Sequence, residues 1–174
     1  MRTRGAVGLA VLVWLAAGPA SAETGKAVIR GTSAGSSLAG EAVLTDTPGG
    51  VQVDVHITGA PPGQHGLHIH QFGECGDAGA AAGGHYNPEN VAHGFLPDDG
   101  LAKAHPGDLG NIEIGQDGAG VLTLVLPGVS LDGGSPRSVG GRAVILHEKQ
   151  DDFSQPTGNA GGRIGCGPIL LVKP

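Results

Sequence analysis

Residues 51–58 read Val-Gln-Val-Asp-Val-His-Ile-Thr, and this stretch decides the fold. Apolar and polar side chains alternate along it, which indicates a β-strand with one buried face and one exposed face. Similar runs lie at residues 26–31, 41–46, 65–71, 111–114, 120–126, 142–147 and 169–172. Beyond residue 22, no window keeps helical spacing without an intervening Gly or Pro. About eight strands without helices predict an all-β protein, an antiparallel sandwich or flattened barrel.

Two long stretches interrupt this strand pattern, at residues 73–110 and 148–165. Connections of that length in a compact domain are usually functional or disordered. The first contains three histidines and many acidic residues, and the second contains Asp151, Asp152 and Arg163. We therefore predict two long functional loops.

The first 22 residues have the layout of a secretory signal peptide. Arg2 and Arg4 precede an apolar run at residues 6–17, and Ala20-Ser-Ala22 supplies small residues for cleavage after Ala22. An N-terminal core helix is the alternative, but these flanking residues favour export. No cysteine lies at the junction, so we predict no membrane anchor. Residues 23–174 then form one domain by length.

Charge and cysteine content narrow the class further. Removing the leader leaves eight basic and 16 acidic residues, a net charge of −8 with histidine neutral, which argues against a nucleic-acid binder. Cys75 and Cys166 remain, and an even cysteine count in an exported chain indicates one disulfide. Closing a loop of about 90 residues would stabilise the fold by roughly 4 to 5 kcal/mol. Two free buried thiols are the alternative.

Clustered histidines are the strongest functional signal. The chain has eight, and six lie between residues 65 and 105. His68 and His70 are two residues apart in a predicted strand, so their rings share one face. His147 ends another strand and can complete the same site. A set of imidazoles alone suits copper, zinc or nickel, and copper most strongly. His56, on the polar face of its strand, is interpreted as an ordinary surface residue.

A second set of candidate ligands lies in the first long loop. It comprises His85, His93, His105 and Asp108. Three imidazoles and one carboxylate make a closed four-coordinate set, typical of structural zinc, and a metal would organise this glycine-rich loop. Asp98 and Asp99 are rival carboxylates. An acidic surface loop without metal is the remaining alternative.

Several motifs together resemble those of the copper,zinc superoxide dismutases. Residues 63–73 read Gly-Gln-His-Gly-Leu-His-Ile-His-Gln-Phe-Gly and resemble the copper-site signature of that family. Residues 84–88, 105–111 and 158–167 are similar to further family motifs, and their order spans residues 26–172. The resemblance implies a Greek-key β-sandwich that dismutates superoxide to oxygen and hydrogen peroxide, with copper and zinc as cofactors.

The resemblance implies two metal sites that share a ligand. The copper ligands would be His68, His70, His85 and His147. The zinc ligands would be His85, His93, His105 and Asp108. His85 would thus lie between both metals and be catalytic, carrying a proton during the reaction.

Residues around the metals also match the family. Asp151 matches the carboxylate that links a copper ligand to a zinc ligand, the kind of partner that fixes ligand orientation. His65 matches a histidine that binds no metal and braces the copper strand. Arg163 matches the catalytic guanidinium that guides the superoxide anion. Cys75 and Cys166 match the family's disulfide.

Two departures from the eukaryotic pattern indicate the bacterial periplasmic branch. The second long loop is short, and the span from His93 to His105 is long. That branch includes monomers and homodimers, so a homodimer is possible and the oligomeric state stays open. Lys103 is a weak candidate for a second guiding charge.

Two other functions compete with dismutation. A periplasmic copper-binding or copper-delivery protein could use the same fold without turnover, but it would need neither Asp151 nor Arg163. A zinc hydrolase would need an open zinc position and a general base. The predicted zinc set is saturated, which disfavours the hydrolase.

Overall fold

Eight β-strands form the framework of the described part of the protein, as the alternation predicts. The computed structural model describes residues 22–172. The predicted signal peptide thus lies outside the described residues except for Ala22, and its cleavage stays a prediction. The strands are β1 (Thr24–Gly31), β2 (Ala39–Thr47), β3 (Gly50–Thr58), β4 (Gly63–His70), β5 (Asp108–Ile114), β6 (Gly120–Leu126), β7 (Ala143–His147) and β8 (Arg163–Val172). The prediction of an all-β protein is confirmed.

All eight strands belong to one antiparallel sheet. Their order is β5-β4-β7-β8-β1-β2-β3-β6. The connections from β3 to β4 and from β6 to β7 cross between distant strands, as in a Greek key. The outermost strands, β5 and β6, are also in contact and are joined by a tight turn at residues 115–119. The sheet therefore curls into a nearly closed, flattened barrel.

Side chains on β3 follow the predicted alternation. Val51, Val53, Val55 and Ile57 are buried, whereas His56 points to solvent. Burial of such an aliphatic side chain contributes about 1.5 to 3 kcal/mol. The inner faces of the other strands add to the same apolar core.

Strands β4 and β7 differ from β3 because both of their faces are covered. Residues 65–70 of β4 and all of β7 are buried. One face packs on the core, and the other lies beneath a first long loop (residues 71–107) and a second long loop (residues 148–162). Carbonyls from these segments bond directly to β4: Gly107 accepts from Ile69 N–H and Lys149 accepts from Gly66 N–H, both at 2.8 Å. Polar side chains on this outer face are thus shielded from water.

The loops differ from the prediction in three respects. The first contains a 3-10 segment, Asp77–Ala82, and a four-residue helix, α1 (Leu96–Asp99), which are too short to give a helical period. The second ends earlier than predicted, because β8 already begins at Arg163. A third long connection, residues 127–142, was not predicted to be special, since its sequence carries no clustered ligands.

The predicted disulfide joins Cys75 to Cys166, with a Cα–Cα distance of 5.8 Å across 91 residues. It ties the first long loop to β8. The two cysteines are therefore paired rather than free. Within residues 22–172, no helix has the length and apolar character needed to cross a membrane.

Candidate metal centre

Four imidazoles converge above β4 and β7, and we call them the four-histidine group: His68, His70, His85 and His147. One nitrogen from each lies within 4.8 Å of the others, and all four residues are buried. Two come from β4 and one from the end of β7, while His85 is held against His70 by a backbone bridge. The spacing of two residues in β4 thus directs both rings to one point, as predicted.

Hydrogen bonds on the outer side of this group fix which nitrogens face inward. His70 Nδ1 donates to the Gly83 carbonyl at 2.9 Å, and His147 Nδ1 donates to the Gly161 carbonyl at 3.2 Å. The remaining nitrogens, His70 Nε2 and His147 Nε2, lie 3.3 Å apart.

The Nδ1 atom of His68 is buried without a hydrogen-bond partner. Its Nε2 is engaged by Asp151 Oδ2 at 2.8 Å, so Nδ1 is the nitrogen left to face the group. Buried polar atoms without partners are costly and rare. An imidazole set with such an atom fits a resident copper ion.

The second set, which we call the mixed group, comprises His85, His93, His105 and Asp108. Its ligand atoms also lie within 4.8 Å of one another, and all are buried. Asp108 lies at its centre. The Oδ1 atom is 3.2 Å from His85 Nδ1 and 3.0 Å from His105 Nδ1, and Oδ2 is 2.9 Å from His93 Nδ1. Three nitrogens and one carboxylate fit a closed structural zinc site.

Backbone contacts hold Asp108 in place. Residues 105–108 form a turn, with Asp108 N–H donating to the His105 carbonyl at 3.0 Å. The Asp108 carboxylate accepts from the N–H groups of His105 and Gly94, each at 3.0 Å. The rival Asp99 instead accepts from Phe95 N–H, and among residues 22–172 neither Asp98 nor Asp99 joins a ligand group.

His85 is the one residue common to both groups. Its Nδ1 faces Asp108, which leaves Nε2 for the four-histidine group. A second link runs through Asp151, whose Oδ2 lies 2.8 Å from His68 Nε2 and 2.9 Å from His93 Nε2. The two groups are thus joined by an imidazole and by a buried carboxylate.

Burial keeps the four-histidine group neutral. It lowers the pKa of His68 to about 3, of His70 to about 2 and of His147 to about 4. Burial also lowers the pKa of His85. Neutral imidazole is the form that binds a metal, so these rings need lose no proton at neutral pH.

Charge pairing reverses this effect in the mixed group. Burial alone would lower the pKa of His93, but hydrogen bonds with Asp108 and Asp151 raise it to about 9. Burial alone would raise the pKa values of the Asp108 and Asp151 carboxyl groups. Hydrogen bonds from the surrounding histidines hold them well below their usual range instead.

A cavity of about 220 Å³ opens onto the four-histidine group. His70, His85, His147 and Arg163 line it together with Gly84, Thr157 and residues 159–161. The Arg163 guanidinium is oriented by two carbonyls of the first long loop, those of Gly79 and Gly83. A fixed cation beside the buried imidazoles can hold a small anion there.

The other predicted residues divide into two kinds. His65 lies between the carbonyls of His147 (2.8 Å) and Pro61 (2.9 Å), a position suited to bracing β7. Lys103 is exposed and does not line the cavity. His56 joins no ligand group among the described residues.

Sequence reasoning missed two amide side chains beside the mixed group. Gln155 bonds to both backbone polar groups of His93, and Asn111 bonds to both of Asp151. A single amide residue in a polar loop carries no sequence signal that would distinguish it.

Comparisons with known proteins match this arrangement. A family model described as copper/zinc superoxide dismutase matches residues 38–169, which include both ligand groups. The crystal structure of the clock protein EA4 is also similar, with a TM-score of 0.76 and 36% sequence identity. That alignment covers 91% of this chain and 100% of the other.

Proposed function

The chain belongs to the copper/zinc superoxide dismutase family, and we propose that it dismutates superoxide, converting two superoxide anions and two protons to oxygen and hydrogen peroxide. The observation that carries this proposal is the position of His85. It is shared by both ligand groups and lines the same cavity as Arg163. A metal store would need neither a shared ligand nor a fixed cation at the cavity.

Copper, held by the four-histidine group, would supply a reversible one-electron centre, and zinc, held by the mixed group, a fixed positive charge beside it. The protein's own contribution is to keep the donor atoms in place. Strand residues supply three of the four copper-side rings, and strands are stiff. Hydrogen bonds at the outer nitrogens of His70 and His147 fix the ring orientations.

Arg163 would bind the substrate anion. Burial lowers its pKa, yet a guanidinium stays charged at neutral pH. Its two carbonyl partners aim it at the cavity rather than at bulk solvent. The acidic mature chain repels anions overall, so positive potential focused at this cavity would guide superoxide inward.

His85 would hold and then donate one of the two protons that the reaction consumes. Its Nδ1 faces Asp108, so Nε2 is the atom free to hold a proton on the cavity side. With a zinc charge on the Nδ1 side, the ring would stay in place and this proton would be easier to give up. Over one cycle, a first superoxide is oxidised to oxygen and a second is reduced to hydrogen peroxide. One proton would come from His85 Nε2 and one from solvent.

We further propose that the protein acts in the bacterial periplasm. Residues 1–22 have the pattern of a cleaved signal peptide. The Cys75–Cys166 disulfide is consistent with an oxidising compartment, where such bonds persist.

Metal analysis of purified residues 23–174, combined with a superoxide-decay assay, tests the function. We expect about one copper and one zinc per chain and fast decay that is lost when copper is removed. Binding of both metals without decay would contradict the proposal. That outcome would favour a periplasmic copper-binding or copper-delivery protein on the same fold.

A further inference from the structure

Three residues of the second long loop contact His93, and they alternate along the chain. The Asp151 carboxylate lies 2.9 Å from His93 Nε2. The Phe153 ring stacks against the imidazole, with centroids 6.3 Å apart and planes at 22°. The Gln155 amide pairs with the backbone of His93. One short segment therefore holds the ring edge, the ring face and the backbone of a single predicted zinc ligand.

The pairing of Gln155 with His93 uses both polar atoms of the amide. His93 N–H donates to Gln155 Oε1 at 2.9 Å, and Gln155 Nε2 donates to the His93 carbonyl at 2.8 Å. His93 is only 3% exposed, so its backbone groups need partners within the protein. The two bonds reach the two peptide groups that flank the His93 Cα atom, so they restrict the backbone on both sides of this residue.

Asn111 on β5 makes the same kind of pair with Asp151. Its Nδ2 donates to the Asp151 carbonyl at 2.9 Å, and Asp151 N–H donates to its Oδ1 at 2.7 Å. The contact between Asp151 and His93 is therefore held by an amide pair at each end. One pair anchors the second long loop to the sheet, and the other anchors it to the first long loop.

The backbone of residues 151–155 is strained where it contacts His93. Phe153 has a φ of 58°, a left-handed conformation that is unusual for a bulky residue. Its N–H donates to Asp151 Oδ1 at 2.8 Å, which holds the turn in this conformation. Strained residues persist where the surrounding contacts determine them.

We propose that Gln155 is a positioning residue for the mixed group, because it fixes the backbone from which the His93 ring reaches the other predicted zinc ligands. This inference rests on the proposed zinc site. Gln155 touches no predicted metal and acts through His93. Its bonds hold Nδ1 of that ring toward Asp108, where the zinc ligands meet. Partners of this kind commonly change metal affinity 10- to 100-fold when they are replaced.

The test compares the variant Gln155→Met with Gln52→Met. Methionine matches glutamine in length and makes neither bond. Gln52 lies on β3, and its side chain bonds only to Asp54 among the described residues. The same substitution there is therefore a matched control. Zinc affinity is measured on metal-free protein by competition with a chromophoric chelator. We expect a loss of about tenfold or more for Gln155→Met and no more than about twofold for the control.

Two further readouts separate positioning from general stability. Cobalt(II) in the mixed group should show an altered visible spectrum in Gln155→Met. Hydrogen exchange of the His93 N–H, which donates to Gln155 Oε1, should be slowed by zinc in the parent protein and much less in the variant. If Gln155→Met does not fold, Gln155→Asn keeps the amide but is too short for both bonds, and the same losses are expected.

Unchanged zinc affinity and cobalt spectrum, with only a lower Tm of the metal-free variant, would overturn the inference while leaving the zinc site intact. A parent protein that binds no zinc would overturn both the zinc site and the inference. The two failures are distinguished by the parent protein alone.

Discussion

Nη2 of Arg163 lies 2.6 Å from the carbonyl oxygen of Gly83. That same oxygen accepts a hydrogen bond from Nδ1 of His70 at 2.9 Å. One backbone atom therefore fixes both the proposed anion-binding cation and a ring of the four-histidine group. The first long loop therefore sets the distance between the Arg163 guanidinium and the four-histidine group.

Replacing Arg163 with Glu should lower kcat/KM for superoxide by about tenfold or more and flatten its dependence on salt, since focused positive potential is lost. Superoxide decay measured across ionic strengths checks this. Arg30→Glu is the matched control, because Arg30 is exposed on β1 and does not line the cavity. An unchanged kcat/KM in Arg163→Glu would contradict a role of Arg163 in guiding the anion.

Gly158 should tolerate no side chain. Its φ is +72°, and a Cβ atom there would lie 1.7 Å from Asp151 Oδ1 and 2.7 Å from His93 Nε2. Gly158→Ala should therefore displace Asp151 and reduce the free energy of unfolding by about 1 to 3 kcal/mol. Urea denaturation measures the change. In Gly133→Ala a Cβ meets nothing within 4 Å, so that control should stay close to the parent.

Reducing the Cys75–Cys166 disulfide should lower the free energy of unfolding by about 2 to 5 kcal/mol, because the unfolded chain loses a 91-residue constraint. Denaturation of the oxidised protein is compared with that of the Cys75→Ser, Cys166→Ser double variant, both metal-free. A reductant should lower the free energy of unfolding of the disulfide-bonded protein and leave that of the double variant unchanged. Equal free energies of unfolding for the oxidised protein and the double variant would contradict the prediction.

The metal-free protein should be most stable at about pH 7. His68, His70 and His147 have folded pKa values of about 3, 2 and 4, so the unfolded chain binds more protons below 6.5 and stability falls as the pH drops. His93 has a raised folded pKa of about 9, so its contribution is present below 6.5 and is lost as the pH rises toward 9.

The alkaline loss should be on the order of 1 to 2 kcal/mol, allowing for solvent screening. Chemical denaturation at half-unit pH steps from 4.5 to 9.5 measures the profile. Zinc-loaded protein is the control, because a metal replaces the proton on His93 and should remove the alkaline decline. A metal-free profile that keeps rising from pH 6.5 to 9 would contradict the assignment.

The sequence predicted those features that depend on local spacing. Alternation at residues 51–58 predicted β3 and its buried face, and the two-residue spacing of His68 and His70 predicted a shared site. The start of β8 was missed because Gly165 and Gly167 occupy positions where strands usually carry branched side chains. Any Cβ at Gly167 would lie 2.8 Å from the Val28 carbonyl, so close packing rather than alternation shapes that strand.

The contacts that hold the second long loop could not be predicted from spacing. The bonds between Gln155 and His93 span 62 residues, and those between Asn111 and Asp151 span 40. A single glutamine or asparagine does not signal a partner, because each pairing exists only in the folded protein, where distant segments of the chain lie side by side. The burial of both faces of β4 was hidden for the same reason.

The Cys75–Cys166 bond has one more consequence, which concerns oxidative self-damage. It contains the only two sulfur atoms of residues 23–174, because the one methionine of the chain, Met1, lies in the predicted leader. Thiols and thioethers are the side-chain groups that peroxide attacks most readily. A mature protein with neither offers no such sulfur group to hydrogen peroxide, the product proposed for its own reaction.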